Sequence, residues 1–286
     1  MTCTTIHAAC RRGSSDYHLA RLVDVGTLLS DSCRLCITTN EQICSPYVTL
    51  SHFWRSLMPI RSFSTNLDDD MTTQIDIKVL SRTFQEAVET VHTLDIRYLR
   101  GDSLCIMQDS SEYWQKEASA MKQGYWNAFC CLAATGAQDS TDDLYLTHDP
   151  RSLLELITEA PLNQRAWVYQ EQIPILSRST LHFTKTKQIF WECRKSTTCE
   201  TLPYCLPWLY QSIITKPHER QLVRSLDAST LSASDETLEV TFSWKAWAAV
   251  VSYYSGKQLK FRTDLPIAIS GIARLLGKHL RTSYVA

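Results

Sequence analysis

The amino-acid sequence predicts an α/β fold: a mostly parallel central sheet flanked by helices in three layers, with an added β-hairpin and C-terminal helices. First, segments patterned as strand, helix, strand, helix and strand succeed one another over about ninety residues from residue 47. Second, parallel neighbours need crossover connections, and helices between strands supply them. Third, 286 residues of which 44% are hydrophobic can bury a large core.

Each element has its own pattern. Residues 1–18 are polar and irregular, whereas Leu19-Ala-Arg-Leu-Val-Asp-Val25 alternates as a strand and stops at Gly26. Tyr47-Val-Thr-Leu-Ser-His52 follows Pro46 and is rich in residues that favour a strand. Residues 62–74 are polar and predict a loop. Over residues 79–95, Leu80, Phe84, Ala87, Val88, Val91 and Leu94 recur at steps that form one stripe of a helix. Residues 96–107 predict a strand, and 110–128 a second helix burying Trp114, Ala118, Met121 and Tyr125. The apolar run 129–134 suits a central strand, and Leu181-His-Phe183 with Gln188-Ile-Phe-Trp191 predict a hairpin around Lys185-Thr-Lys187. Ser- and Asp-rich residues 220–239 predict a loop, 244–254 a helix through Trp247, Val250, Val251 and Tyr254, and 265–279 a final helix. The expected organisation is an irregular segment at 1–18, an α/β domain at 19–195, a linker at 196–240 and a helical extension packed on the domain at 241–286.

The formal net charge of -1 gives no global field favouring nucleic acid or an anionic membrane. No apolar window approaches the roughly 20 residues that span a bilayer. The opening Met1-Thr-Cys-Thr-Thr-Ile-His7 lacks a signal peptide's pattern, so the eleven cysteines are expected as reduced thiols and the protein in the cytoplasm. Cys33-x-x-Cys36 with Cys44 has partial zinc spacing but no second pair completes it, so no metal is expected. With eight glycines and no phosphate-cradling motif, no cofactor is implied.

Four separated blocks resemble the fungal heterokaryon incompatibility (HET) domain family. They are Tyr47-Val-Thr-Leu-Ser-His-Phe-Trp54; Thr83-Phe-Gln-Glu-Ala87 with Tyr98-Leu-Arg-Gly-Asp-Ser-Leu-Cys-Ile-Met-Gln-Asp109; Trp114-Gln-Lys-Glu-Ala118 with Met121 and Tyr125; and Arg165-Ala-Trp-Val-Tyr-Gln-Glu171. The resemblance implies self/non-self recognition and cell-death signalling, with self-association or a protein partner. It also implies a fold likened to Toll/interleukin-1 receptor or flavodoxin-like domains, some of the former cleaving NAD with a glutamate near a tryptophan. Trp114-Gln-Lys-Glu117 is the nearest counterpart here. His52, Arg55, Arg100 and Gly101 depart from the family pattern. The ending at Ser283-Tyr-Val-Ala286, where family members continue, suggests a missing downstream region.

Asp102, near a strand's carboxyl end, stands where open α/β sheets place ligand groups. His52 is a candidate general base with Asp102 or Glu117 as partner, because imidazole titrates near neutrality. Ser51, Trp54, Asp109, Arg165 and Glu171 are candidate ligand-binding residues, with a small molecule or nucleotide as possible ligand. Blander roles stand beside these: a loop-capping aspartate, a packed histidine, tryptophan core anchors, and a structural Arg165/Glu171 ion pair. Cys105, between Leu104 and Ile106, is read as core. Arg100 in a buried strand must find a partner or lie at an exposed end. The alternative to a signalling module is an enzyme, either an NAD-cleaving effector or a biosynthetic enzyme with a pocket near Asp102.

Overall fold

The computed structural model describes residues 19–53, 60–66, 73–139, 142, 144, 160–172, 179–183, 189–193, 196–200, 236–259, 261–280 and 282–283. Trp54, Arg55, the 1–18 segment and the hairpin turn at 184–188 lie outside them, as do residues 201–235 of the expected linker.

Among the described residues nine strands form one sheet: β1 (Arg21–Asp24), β2 (Ser32–Ile37), β3 (Tyr47–Ser51), β4 (Ile75–Asp76), β5 (Tyr98–Gly101), β6 (Cys131–Ala133), β7 (Ser179–Phe183), β8 (Ile189–Cys193) and β9 (Thr197–Cys199). Their order is β4-β2-β1-β5-β3-β6-β7-β8-β9. Pairing is parallel through the central β5, β3, β6 and β7, and antiparallel in both wings. The expectation of a mostly parallel sheet is therefore corrected to a mixed one. Helices lie between the central parallel strands, whereas β1 and β2, β7 and β8, and β8 and β9 follow one another through short connections that suit antiparallel pairing; β2/β4 and β1/β5 pair antiparallel across long separations. β1 ends where Gly26 takes a φ of 70° and donates its amide to Asp24 Oδ1 at 3.0 Å. β7 and β8 form the predicted hairpin, and β9 extends the sheet into the segment expected as linker.

The helices are α1 (Arg82–Thr93), α2 (Asp102–Cys105), α3 (Ser111–Asn127), α4 (Ala166–Gln172), α5 (Glu236–Ser255) and α6 (Leu265–Leu280). The expected strand at 96–107 holds only to Gly101; Asp102–Cys105 is a helical turn, closed by Ile106 N donating to Asp102 O. A short apolar run is compatible with either a strand or a buried helical turn, which is why the pattern misled. Ser110 caps α3, its hydroxyl accepting from Tyr113 N at 3.2 Å.

Alternate residues of a strand point to opposite faces. On one face Val48, Leu50, Leu99, Leu132 and Phe183 pack with Phe84, Ala87, Val88 and Val91 of α1. On the other, Cys131 packs with Met121 and Tyr125 of α3, and Ala133 with Val168 of α4. α5 and α6 pack on α4 through Ala166 and Tyr169, and Gln170 hydrogen-bonds Ala268 O and Gly271 N of α6.

Candidate functional site

β3 and β5 run side by side, with Thr49 opposite Arg100 and Leu50 opposite Gly101. Leu99 and Gly101 therefore face α1, and Arg100 faces α3. A Cβ on Gly101 would come within 2.4 Å of the Phe84 ring, so glycine here permits the helix's close approach. Gly124 of α3 does the same for the arginine, since a Cβ there would lie 2.1 Å from Arg100 Nη1.

Arg100 is 1% exposed. Its Nη2 lies 3.4 Å from Asp102 Oδ1 and 3.8 Å from Glu117 Oε2, and its guanidinium carbon sits 5.8 Å from the centre of the Tyr125 ring. Among the described residues its nitrogens make no hydrogen bond, so charge attraction holds the cluster. Burial opposes the charge on Arg100, but the Asp102 and Glu117 carboxylates outweigh it and the group stays a cation. The strand-end arginine is paired, not exposed. Glu117 is raised above its ordinary value by burial, with Arg100 pulling it back down.

Glu171 on α4 is buried, and burial pushes its carboxyl up to about 7, against the pull of Arg165, with Asp102's charge adding to the rise and Ser51 opposing it. Of the predicted residues, the structure brings Asp102 and Glu117 together at Arg100.

The others lie apart. His52, one residue past Ser51, stands with its ring edge-on to Phe84 at 5.1 Å between centroids. Burial, helped by Arg165's charge, lowers its pKa to about 3, so it is a poor proton acceptor near neutrality. Arg165 Nη1 donates to His52 O at 2.7 Å, and its guanidinium lies 5.6 Å from the Phe53 ring centre. Asp109 is exposed and clamps a loop, accepting from Ser64 N at 3.0 Å and from Ser64 Oγ at 2.5 Å. Burial pushes the Cys105 thiol up to about 12, the state of an inert core thiol. Cys33 and Cys36 are three residues apart on β2, so they point to opposite faces, and Cys44 is exposed.

A second buried polar chain was not singled out from sequence. Thr135 Oγ1 lies 3.2 Å from His182 Nδ1, and His182 Nε2 lies 3.4 Å from Glu192 Oε2. All three are buried. The available signal was Thr180 and His182 alternating with apolar residues on a predicted strand, which places polar groups on one face of the sheet.

These features define an α/β domain with a buried arginine-carboxylate cluster at the carboxyl ends of its central parallel strands. Residues 47–153 match the model of the family described as heterokaryon incompatibility protein (HET). That segment, which is less than half of the chain, is similar to a HET domain. Searches of curated proteins and of solved structures found no match. Among the described residues no helix is long and apolar enough to cross a membrane.

Proposed function

We propose that the chain is a cytoplasmic signalling module of fungal self/non-self recognition, which assembles with itself or a protein partner and drives a cell-death response. The observation that carries this reading is that the family match at 47–153 contains the Arg100, Asp102 and Glu117 cluster. Arg100 and Glu117 are buried and Asp102 half-buried, and their charges face one another, which suits a structural or conformational role better than an exposed reactive one. The domain reads as three-layered, because α1 and α3 pack against residues of opposite faces of the central strands. In chain order the parallel strands run second, first, third, fourth, as in flavodoxin-like folds, and this supports the likeness to Toll/interleukin-1 receptor domains.

Expression of the intact chain in a filamentous fungus is expected to arrest growth, and Arg100→Met to abolish the arrest. Unimpaired growth with the intact chain would contradict the reading.

A second reading is an enzyme with a small molecule or nucleotide bound near Asp102. A raised, buried carboxyl, Glu171, beside the carboxyl ends of parallel strands favours it. Consumption of NAD by the purified protein, lost in Glu117→Ala, would put this reading first.

A further inference from the structure

The turn between β1 and β2 departs from the usual chemistry of turn tips. Its central residues, Leu28 and Leu29, are 74% and 91% exposed, whereas glycine, asparagine, aspartate and serine are the common occupants of such positions. The turn is also held stiffly. Ser30 N donates to Thr27 O at 2.9 Å, and Thr27 N donates to Ser30 Oγ at 2.9 Å. At its base, Gly26 N donates to Asp24, whose carboxylate accepts from Arg97 Nε and Nη2 at 2.7 and 2.8 Å. Two solvated leucines thus sit on a braced tip.

Single exposed leucines are ordinary, but here a third apolar group joins them. Ile77 N donates to Asp31 O at 2.9 Å, and Ser32 pairs with Asp76 across β2 and β4, which ties the turn Ile77–Val79 to the same sheet edge. Val79 is 50% exposed there. Asp31, Asp76 and Lys78 are exposed beside it, and none of the three makes an ion pair among the described residues. The nearby Arg34 and Arg97 are taken up by Glu41 and Asp24. Carboxylates therefore outnumber free cations around the tip.

We propose that this tip docks a different protein, its leucines entering an apolar socket that carries basic side chains at its rim. Because the turn is already ordered, burying Leu28 and Leu29 costs little conformational entropy. Charge selects among the occupants. A second copy would set the same aspartates against these, and an anionic lipid surface would repel them, whereas a basic rim attracts both. The patch is small, so the contact is transient rather than obligate. The inference rests on the reading of the chain as a module that works through a protein partner, and it names the surface which that partner meets.

A photo-crosslinking benzoylphenylalanine in place of Leu29 of the intact chain, expressed in a filamentous fungus, is the test. Val251, exposed on α5, takes the same probe as a control site. Position 29 is expected to crosslink a protein that position 251 does not, and that protein, identified by mass spectrometry and purified, is expected to bind the chain in solution. Leu28→Ser with Leu29→Ser should weaken this binding at least about ten-fold and leave the melting temperature unchanged, since both side chains are exposed. Asp31→Lys should slow association about three-fold, with less effect at high salt.

Four results would overturn the docking site: no crosslink at position 29, a crosslink there to a second copy of the chain, full binding of the purified partner by the double leucine variant, or wild-type binding to phosphatidylcholine/phosphatidylserine vesicles that this variant loses. Growth is scored in the same cells. Arrest without a crosslink at position 29 removes the tip alone, while a crosslink without arrest counts against the cell-death reading and supports the tip.

Discussion

The two faces of the central strands are built from different materials. Facing α1, Val48, Leu50, Leu99, Leu132 and Phe183 are all apolar and buried. On the opposite face β3, β5 and β7 present Thr49, Ser51, Arg100, Thr180 and His182, equally buried, around the apolar Cys131 and Ala133 of β6. Apolar burial stabilises in proportion to area, whatever the pH. Buried polar groups must instead be matched pair by pair, and each pairing depends on protonation and geometry. The first face holds by area, and the second by matched pairs.

Substitutions can break this contrast. Arg100→Met leaves the buried Glu117 carboxylate and the half-buried Asp102 without their cation, and denaturant unfolding should show a loss of about 3–5 kcal/mol. Leu132→Ala on the opposite face should cost about 2–4 kcal/mol through transfer and cavity formation, with the same cost at pH 6 and pH 8. Gly124→Ala should cost about 1–3 kcal/mol, because the added methyl must displace the Arg100 guanidinium. Asp109→Asn, exposed and removed from both faces, should leave the melting temperature within experimental scatter while loosening the Ser64 loop in hydrogen exchange.

The apolar face was the legible one. Leu80, Phe84, Ala87, Val88 and Val91 declared a helix by spacing, and all five are buried. The central β3 and the β7/β8 hairpin were legible for the same reason, a strand pattern bounded by turns. The turn at Asp102–Cys105 was not, because its short apolar run has no period of its own. In the site, Asp102 and Glu117 were named from the sequence, but their hub, Arg100, was seen only as a departure from a pattern. Arg100 is a hub because Gly124, twenty-four residues on, leaves room for it, and only tertiary contact reveals that. The assignment of His52 as a base failed on the period of two: a strand that turns Ser51 toward the cluster turns the next residue toward Phe84. The Thr135, His182 and Glu192 chain joins three separate segments, so no local motif announces it.

The central claim is that Arg100 and the carboxylates around it form one coupled unit inside the segment that matches the HET family. A double-mutant cycle of Arg100→Met and Glu117→Gln, followed by denaturant unfolding at pH 7, tests it most directly. The cluster predicts a coupling energy of about 1–3 kcal/mol, with Glu117→Gln recovering part of the stability lost in Arg100→Met. Losses that simply add would contradict it.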